Sequence, residues 1–153
     1  MQAISSKDLD ARFKFDVAAR PGAENLTLCF ACGTCTAACP VSEIDAEFSP
    51  RKIIRQVLLG MREQVLASPV IWRCVQCYAC YAKCPQNVKF RDVLKALREM
   101  AVDEGYVDPA VSAEIARLDE LSQKLRRSLA ETLFTDRARY DAIKAEVEKA
   151  LSR

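Results

Sequence analysis

Apolar residues recur at helical spacing along most of the chain, with polar positions filling the faces between them. Ile53, Ile54, Val57, Leu58 and Met61 mark one such face, with Ser49 as the expected N-cap and Pro50 at the first helical position. Gly60 ends or weakens that helix, and MREQVLA continues as a second short piece. Ser68 and Pro69 repeat the start signal, so VIWRC runs on from a helical turn. In FRDVLKALREMAVDEG, Val93, Leu94, Leu97 and Met100 share one side, and Gly105 supplies the stop. Upstream, SKDLDARFKFDVAAR carries Leu9, Phe13 and Val17 four apart, and Pro21 and Gly22 close it. Near the C-terminus, Val111, Ile115, Leu118, Leu121, Leu125 and Leu129 step by three or four; Tyr140, Ile143, Val147 and Leu151 form a further amphipathic set, with Thr135 as its expected cap. Strand-like alternation is confined to pieces such as NLTLCF and FKFDV, too short to build a sheet. The pattern predicts an all-α fold.

Composition narrows the class. Half of the 153 residues are hydrophobic, with 4 Gly, 6 Pro and 23 basic against 21 acidic residues, a folded and not a disordered balance. A formal charge of +2, with basic and acidic residues interleaved, gives no reason to expect nucleic acid. No apolar run is long enough for a membrane span, and MQAISSKDLDARFKFD has neither the apolar core nor the cleavage site of a signal peptide. The expected location is therefore cytoplasmic, without direct membrane insertion.

All 8 cysteines fall in two strings, CFACGTCTAACP at residues 29–40 and CVQCYACYAKCP at residues 74–85, and the chain has no His. Disulfides do not suit a reducing compartment. Zinc is the better competitor, since paired Cys-x2-Cys is its usual ligand, but a zinc knuckle uses two cysteines and each string holds four. The spacing C-x2-C-x2-C-x3-C-P is the bacterial ferredoxin run, in which three thiolates hold one 4Fe-4S cube and the fourth reaches the neighbouring cube. Two copies then complete each other. This assigns Cys29, Cys32, Cys35 and Cys84 to one cluster and Cys74, Cys77, Cys80 and Cys39 to the other, leaving two zinc ions or one incomplete cluster as alternatives. Proline after the last cysteine turns the chain away. Ala31, Gly33, Thr34, Thr36, Ala37 and Ala38 are small enough for backbone to approach a cube, whereas Tyr78 and Tyr81 wall the second from water. Arg73, Lys83, Lys89 and Arg91 flank the second string while Glu43, Asp45 and Glu47 follow the first, so the second cluster is expected to have the higher potential, with Lys83 contributing.

The frame LCFACGTCTAACP, PRKIIRQVLLG, IWRCVQCYACYAKCPQNV resembles the C-subunit of the CoB-CoM heterodisulfide reductase family, over roughly residues 13–105. The resemblance implies an alpha-helical ferredoxin-type protein holding two 4Fe-4S clusters. It also implies a non-catalytic relay in a hetero-oligomeric complex, between a flavin-containing A-like subunit and a B-like subunit that carries CCG cysteine motifs and reduces the disulfide. No adjacent Cys pair exists in this chain, so reduction belongs to another chain. Helical cluster domains of succinate dehydrogenase, fumarate reductase and anaerobic glycerol-3-phosphate dehydrogenase are similar at lower resolution and supply a second reading, relay for another flavin dehydrogenase. A structural or oxygen-sensing role is a third. No Gly-rich dinucleotide fingerprint or nucleophile-base pair supports catalysis by this chain alone. The expected organisation is a cluster domain over residues 1–105 and a helical C-terminal extension over residues 106–153, which packs on its surroundings or docks a partner.

Overall fold

The computed structural model describes residues 8–152. Residues 1–7, on which part of the signal-peptide expectation rests, and Arg153 lie outside them. The chain divides into two compact units, the first ending at Pro109 and the second starting at Ala110. The first unit contains α1 (Phe13–Ala18), α2 (Thr34–Ala37), α3 (Pro40–Ile44), α4 (Pro50–Leu58), α5 (Arg62–Leu66), α6 (Ala79–Ala82) and α7 (Phe90–Asp103), with 3-10 turns at Leu26–Leu28 and Pro69–Trp72. The described residues include no strand, and the two strand-like pieces are helical: FKFDV lies in α1, and NLTLCF holds the first 3-10 turn.

α7 is the longest helix of this unit that lies wholly inside it, and it carries the core. Val93, Leu94, Leu97, Met100 and Ala101 are buried along it, in one cluster with Phe13 and Val17 of α1, Ile53, Ile54 and Val57 of α4, Leu66 of α5 and Ile71. Each such side chain contributes about 1.5–3 kcal/mol by leaving water. Leu9 does not join them: it precedes α1, outside any helix, and is partly exposed, because α1 starts only at Phe13.

Start and stop signals act as local chemistry requires. The Ser49 hydroxyl accepts from Lys52 N at 3.4 Å at the start of α4, and Ser68 accepts from Val70 N at 3.2 Å at the second 3-10 turn. Gly60 follows α4 with φ +83°, and Gly105 follows α7 with φ +75°. Beyond Gly60, Asp10 N donates to Gly60 O at 2.8 Å, which fastens the segment before α1 to the α4–α5 turn. Arg62, the first residue of α5, secures the same junction: it pairs with Asp10 at 2.7 Å, with Asp16, and with Glu104 at 2.5 Å, and lies 4.9 Å from the Phe13 ring centre.

The second unit is made by α8 (Pro109–Thr135), which begins at the boundary, and α9 (Arg137–Leu151). Thr135 is not the cap of α9. Its hydroxyl donates back to Glu131 O at 2.9 Å and closes α8, while Asp136 is the N-cap, accepting from Arg139 N at 3.0 Å. An Asp competes better for this position because its carboxylate also complements the positive helix start. Leu118, Leu121 and Leu125 of the α8 stripe remain exposed.

Candidate metal centre

The two strings fold alike. Each position of the second lies 45 residues after its counterpart in the first, and the backbone follows the same course. Ala31 (φ 57°) matches Gln76 (φ 51°), Gly33 (φ 85°) matches Tyr78 (φ 61°), and α2 matches α6 residue for residue. Left-handed backbone at three residues that carry a Cβ costs roughly 1 kcal/mol each. Its use here is to wind the chain so tightly that the cysteines of one string face a common hollow.

After each string the paths differ, and the difference carries the fourth cysteine across. Pro40 starts α3, whose Val41 is buried, and Ser42 Oγ donates to Phe48 O at 2.8 Å, folding residues 42–48 back. Arg73 then bonds Asp45 and Glu47, both at 2.8 Å, so the loop after the first string is clamped to the start of the second. Asp45 is held below the usual carboxylate range chiefly by that guanidinium. On the other side Asn87 (φ 52°) and Lys89 (φ 56°) turn the chain sharply into α7, with Asn25 Nδ2 bonding Asn87 O at 3.1 Å.

Two adjoining hollows result. One, open at its mouth, is lined by Cys29, Cys32, Cys35 and Cys84, with Gly33, Arg51, Ile54 and Phe90. The other is lined by Cys39, Cys74, Cys77 and Cys80, with Phe48, Tyr78, Phe90 and Arg91. All eight predicted residues therefore border one hollow or the other, and each hollow includes a closing cysteine of the opposite string, Cys84 in the first and Cys39 in the second. Cys80 also borders the first hollow, and Phe90 belongs to the wall of both. Phe90 meets Phe48 edge-on, with centres 6.5 Å apart.

The donor chemistry fits iron-sulfur clusters. Four or more thiols border each hollow, the all-sulfur donor set that a 4Fe-4S cube takes. Backbone N-H groups already face sulfur: Gln76 N lies 3.4 Å from Cys74 Sγ and Val88 N lies 3.3 Å from Cys84 Sγ, the kind of bond that tunes a cluster. Burial pushes the Cys80 thiol up to about 11 and raises Cys35 and Cys74 in the same sense. Cys32, exposed and 3.3 Å from the Thr34 hydroxyl, is held below the ordinary thiol range by that bond. Ligation at the buried positions thus has to release protons.

A family model described as a 4Fe-4S dicluster domain matches residues 14–89, a span that includes all eight cysteines. The C-subunit of the H(2):CoB-CoM heterodisulfide,ferredoxin reductase of Methanothermobacter thermautotrophicus is 36% identical over 110 residues, 72% of this chain and 58% of the relative. The C2-subunit of the H(2)/formate:CoB-CoM heterodisulfide,ferredoxin reductase of Methanococcus maripaludis is 44% identical over 81 residues, 53% of this chain and 43% of the relative. The chain belongs to the heterodisulfide reductase C-subunit family. A third relative, the C-subunit of the Ferredoxin:CoB-CoM heterodisulfide reductase of Methanosarcina acetivorans, is 41% identical over 85 residues, 56% of this chain and 34% of the relative. The chain thus spans about half the length of the curated relatives it matches. As a member of this family it is an iron-sulfur protein, and its all-helical cysteine domain is of the dicluster ferredoxin type. No helix among the described residues is long and apolar enough to cross a membrane.

Sequence reasoning named Arg91 among the cations of the second string but missed Arg51. Arg51 and Arg91 each line a hollow, whereas Lys83 is exposed and lines neither. The expected charge contrast between the strings is also reduced in space, because Arg73 after the spacer is bound to Asp45 and Glu47. One signal was readable: PRK puts two cations in the first turn of α4 with no acid there, against the helix dipole.

Proposed function

We propose that this chain is the electron-relay subunit of a heterodisulfide reductase-type complex. It holds two 4Fe-4S clusters, one on Cys29, Cys32, Cys35 and Cys84 and the other on Cys74, Cys77, Cys80 and Cys39. Its neighbours in the complex are a flavin-containing subunit and a CCG-motif subunit that reduces the disulfide, and the complex works in the cytoplasm. The single observation that supports the reading best is the exchange of Cys39 and Cys84 between the strings, which a pair of independent four-cysteine sites would not need.

A thiolate-held cube supplies reversible one-electron transfer at a potential set by its surroundings. The chain's own residues do the rest. The tight turns at Ala31, Gly33, Gln76 and Tyr78 orient the sulfurs, while Phe48, Val41 and Phe90 keep water from the inner faces of the hollows. Cys32 and Cys77, the second cysteine of each string, are exposed. Beside them Phe30 and Val75, again equivalent positions, leave 60% and 58% of their surface open, so a redox partner can approach either centre over apolar surface. The exposed stripe of α8 offers a further surface for assembly.

The test is a set of serine substitutions read by EPR on anaerobically prepared protein. Cys84→Ser and Cys32→Ser are expected to alter one cluster signal, and Cys39→Ser and Cys77→Ser the other. If Cys84→Ser instead alters the signal that Cys77→Ser alters, the exchange is wrong. Anoxic affinity purification from the host tests the assembly: a flavoprotein together with a CCG-motif protein is the expected result, and a single dehydrogenase flavoprotein would move the chain to another complex.

A further inference from the structure

The two strings repeat more than their cysteines, and the repeat extends to a residue far outside them. In the first string the Cδ and Nη1 atoms of Arg51 lie 3.8 and 3.9 Å from the point where a Cβ on Gly33 would stand. In the second, the guanidinium of Arg91 lies 5.0 Å from the ring centre of Tyr78, the residue equivalent to Gly33. Both arginines occupy the second position of the helix that follows their half, α4 and α7, and each lines its own hollow. Each hollow is thus bordered by one guanidinium, carried on a helix start and laid over the same turn of the cysteine loop.

The placement of Arg51 breaks a local rule. Cations in the first turn of a helix are disfavoured by the positive end of the macrodipole, yet Arg51 and Lys52 both sit there with no acidic residue in that turn. The structure nevertheless fixes this end of α4 firmly: Arg51 N donates to the Thr36 hydroxyl at 3.0 Å, and that hydroxyl lies 3.3 Å from Ser49 Oγ, tying the helix start to the cysteine loop itself. Among the described residues Arg51 has no carboxylate in salt-bridge range, whereas Arg91 is 3.1 Å from Asp92 and 2.8 Å from Gln76 Oε1. Such an arrangement makes sense when the negative charge lies inside the hollow. A cube with four thiolates is an anion and becomes more negative on reduction.

We propose that Arg51 and Arg91 are paired charge-compensating residues, one for each centre, that favour the reduced state, with Arg51 acting more strongly because no carboxylate shares its charge. The inference rests on the two-cluster reading above. It keeps Arg91 from the expected cations of the second string, sets Lys83 aside, and adds Arg51 at the first centre.

The experiment is an EPR-monitored redox titration of the whole chain carrying Arg51→Gln, Arg51→Lys, Arg91→Gln or Lys83→Glu, with iron and sulfide counted in each. R51Q is expected to lower the reduced-to-oxidised ratio of one centre about tenfold at a fixed applied potential, a shift of about 59 mV for one electron. R91Q moves the other centre and by less, R51K recovers most of the R51Q shift, and K83E moves either centre less than R51Q does. Equal shifts of both centres in R51Q, or none at full iron content, overturn the proposal. Loss of iron in both R51Q and R51K also overturns it, by making Arg51 a support of the fold, whereas loss in R51Q alone fits a cation that holds an anionic cluster. Failure of the underlying reading is separable: the unsubstituted chain would then hold clearly less than about eight iron.

Discussion

Gly60 and Gly105 form a matched pair for measuring how firmly the segment before α1 is anchored. Both have left-handed backbone, φ +83° and +75°. A methyl group on Gly105 meets nothing within 4 Å, so Gly105→Ala carries only the conformational cost, about 1 kcal/mol net of the smaller entropy of the unfolded chain. A methyl group on Gly60 meets the Asp10 carbonyl, 2.7 Å from its carbon and 3.0 Å from Asp10 N. These are backbone atoms and cannot swing aside. Relief requires Asp10 to retreat, which breaks its 2.8 Å hydrogen bond to Gly60 O, about 1 kcal/mol, and loosens its pair with Arg62, up to about 1 kcal/mol more. Gly60→Ala is therefore expected to cost about 3 kcal/mol in all. For a unit of this size that is a fall in Tm of roughly 15 °C, against roughly 5 °C for Gly105→Ala. The assay is anaerobic thermal unfolding followed by far-UV circular dichroism and by cluster absorbance, at one scan rate, because loss of the clusters makes the transition kinetic. Equal shifts for the two variants would refute the reasoning, since they would mean that the Asp10 segment yields without cost.

The remaining predictions concern charges and caps. Arg62→Ala removes three ion pairs and a ring contact from a side chain that is 21% exposed; with partners open to solvent, the expected loss is about 2 kcal/mol, read as a lower anaerobic Tm. Asp10 is held below the usual carboxylate range, first by the Arg12 backbone N-H and then by Arg62. A lowered carboxylate adds stability that is complete above its unfolded range, near pH 4, and is lost as pH falls below that through its folded value, so the gap between wild type and Arg62→Ala holds down to about pH 4 and narrows below it. Asp136→Ala removes the cap of α9 and is expected to cost about 1 kcal/mol of helix stability, visible as reduced amide protection in its first turn, with no change in either cluster signal.

Much of this was open to a reading of the sequence. Period and punctuation located α4 and α7, because Ser49, Pro50, Gly60 and Gly105 act through local chemistry that needs no tertiary information. The cysteine spacing led to the proposed grouping of Cys84 with the first string and Cys39 with the second, and those residues border the matching hollows. What stayed hidden depends on side chains meeting across the fold. Arg73 looked like a free charge of the second string until the loop after the first brought Asp45 and Glu47 to it. Thr135 and Asp136 are adjacent and both can cap, and only the helix register decides between them. The left-handed residues Ala31, Gln76 and Tyr78 give no compositional warning, although their equivalence across the repeat was there to be noticed.

On the proposed ligation, the exchange of Cys39 and Cys84 between the strings has a consequence for how the protein is made and lost. Each string alone can offer its own hollow only three sulfurs, so a chain that acquires one centre has already drawn the opposite loop into position and prepared the second. Damage runs the same way: oxidation that strips iron from one hollow frees a sulfur whose loop also frames the other. That ligation links maturation and decay of the two centres and predicts that a half-filled molecule is short-lived on either route.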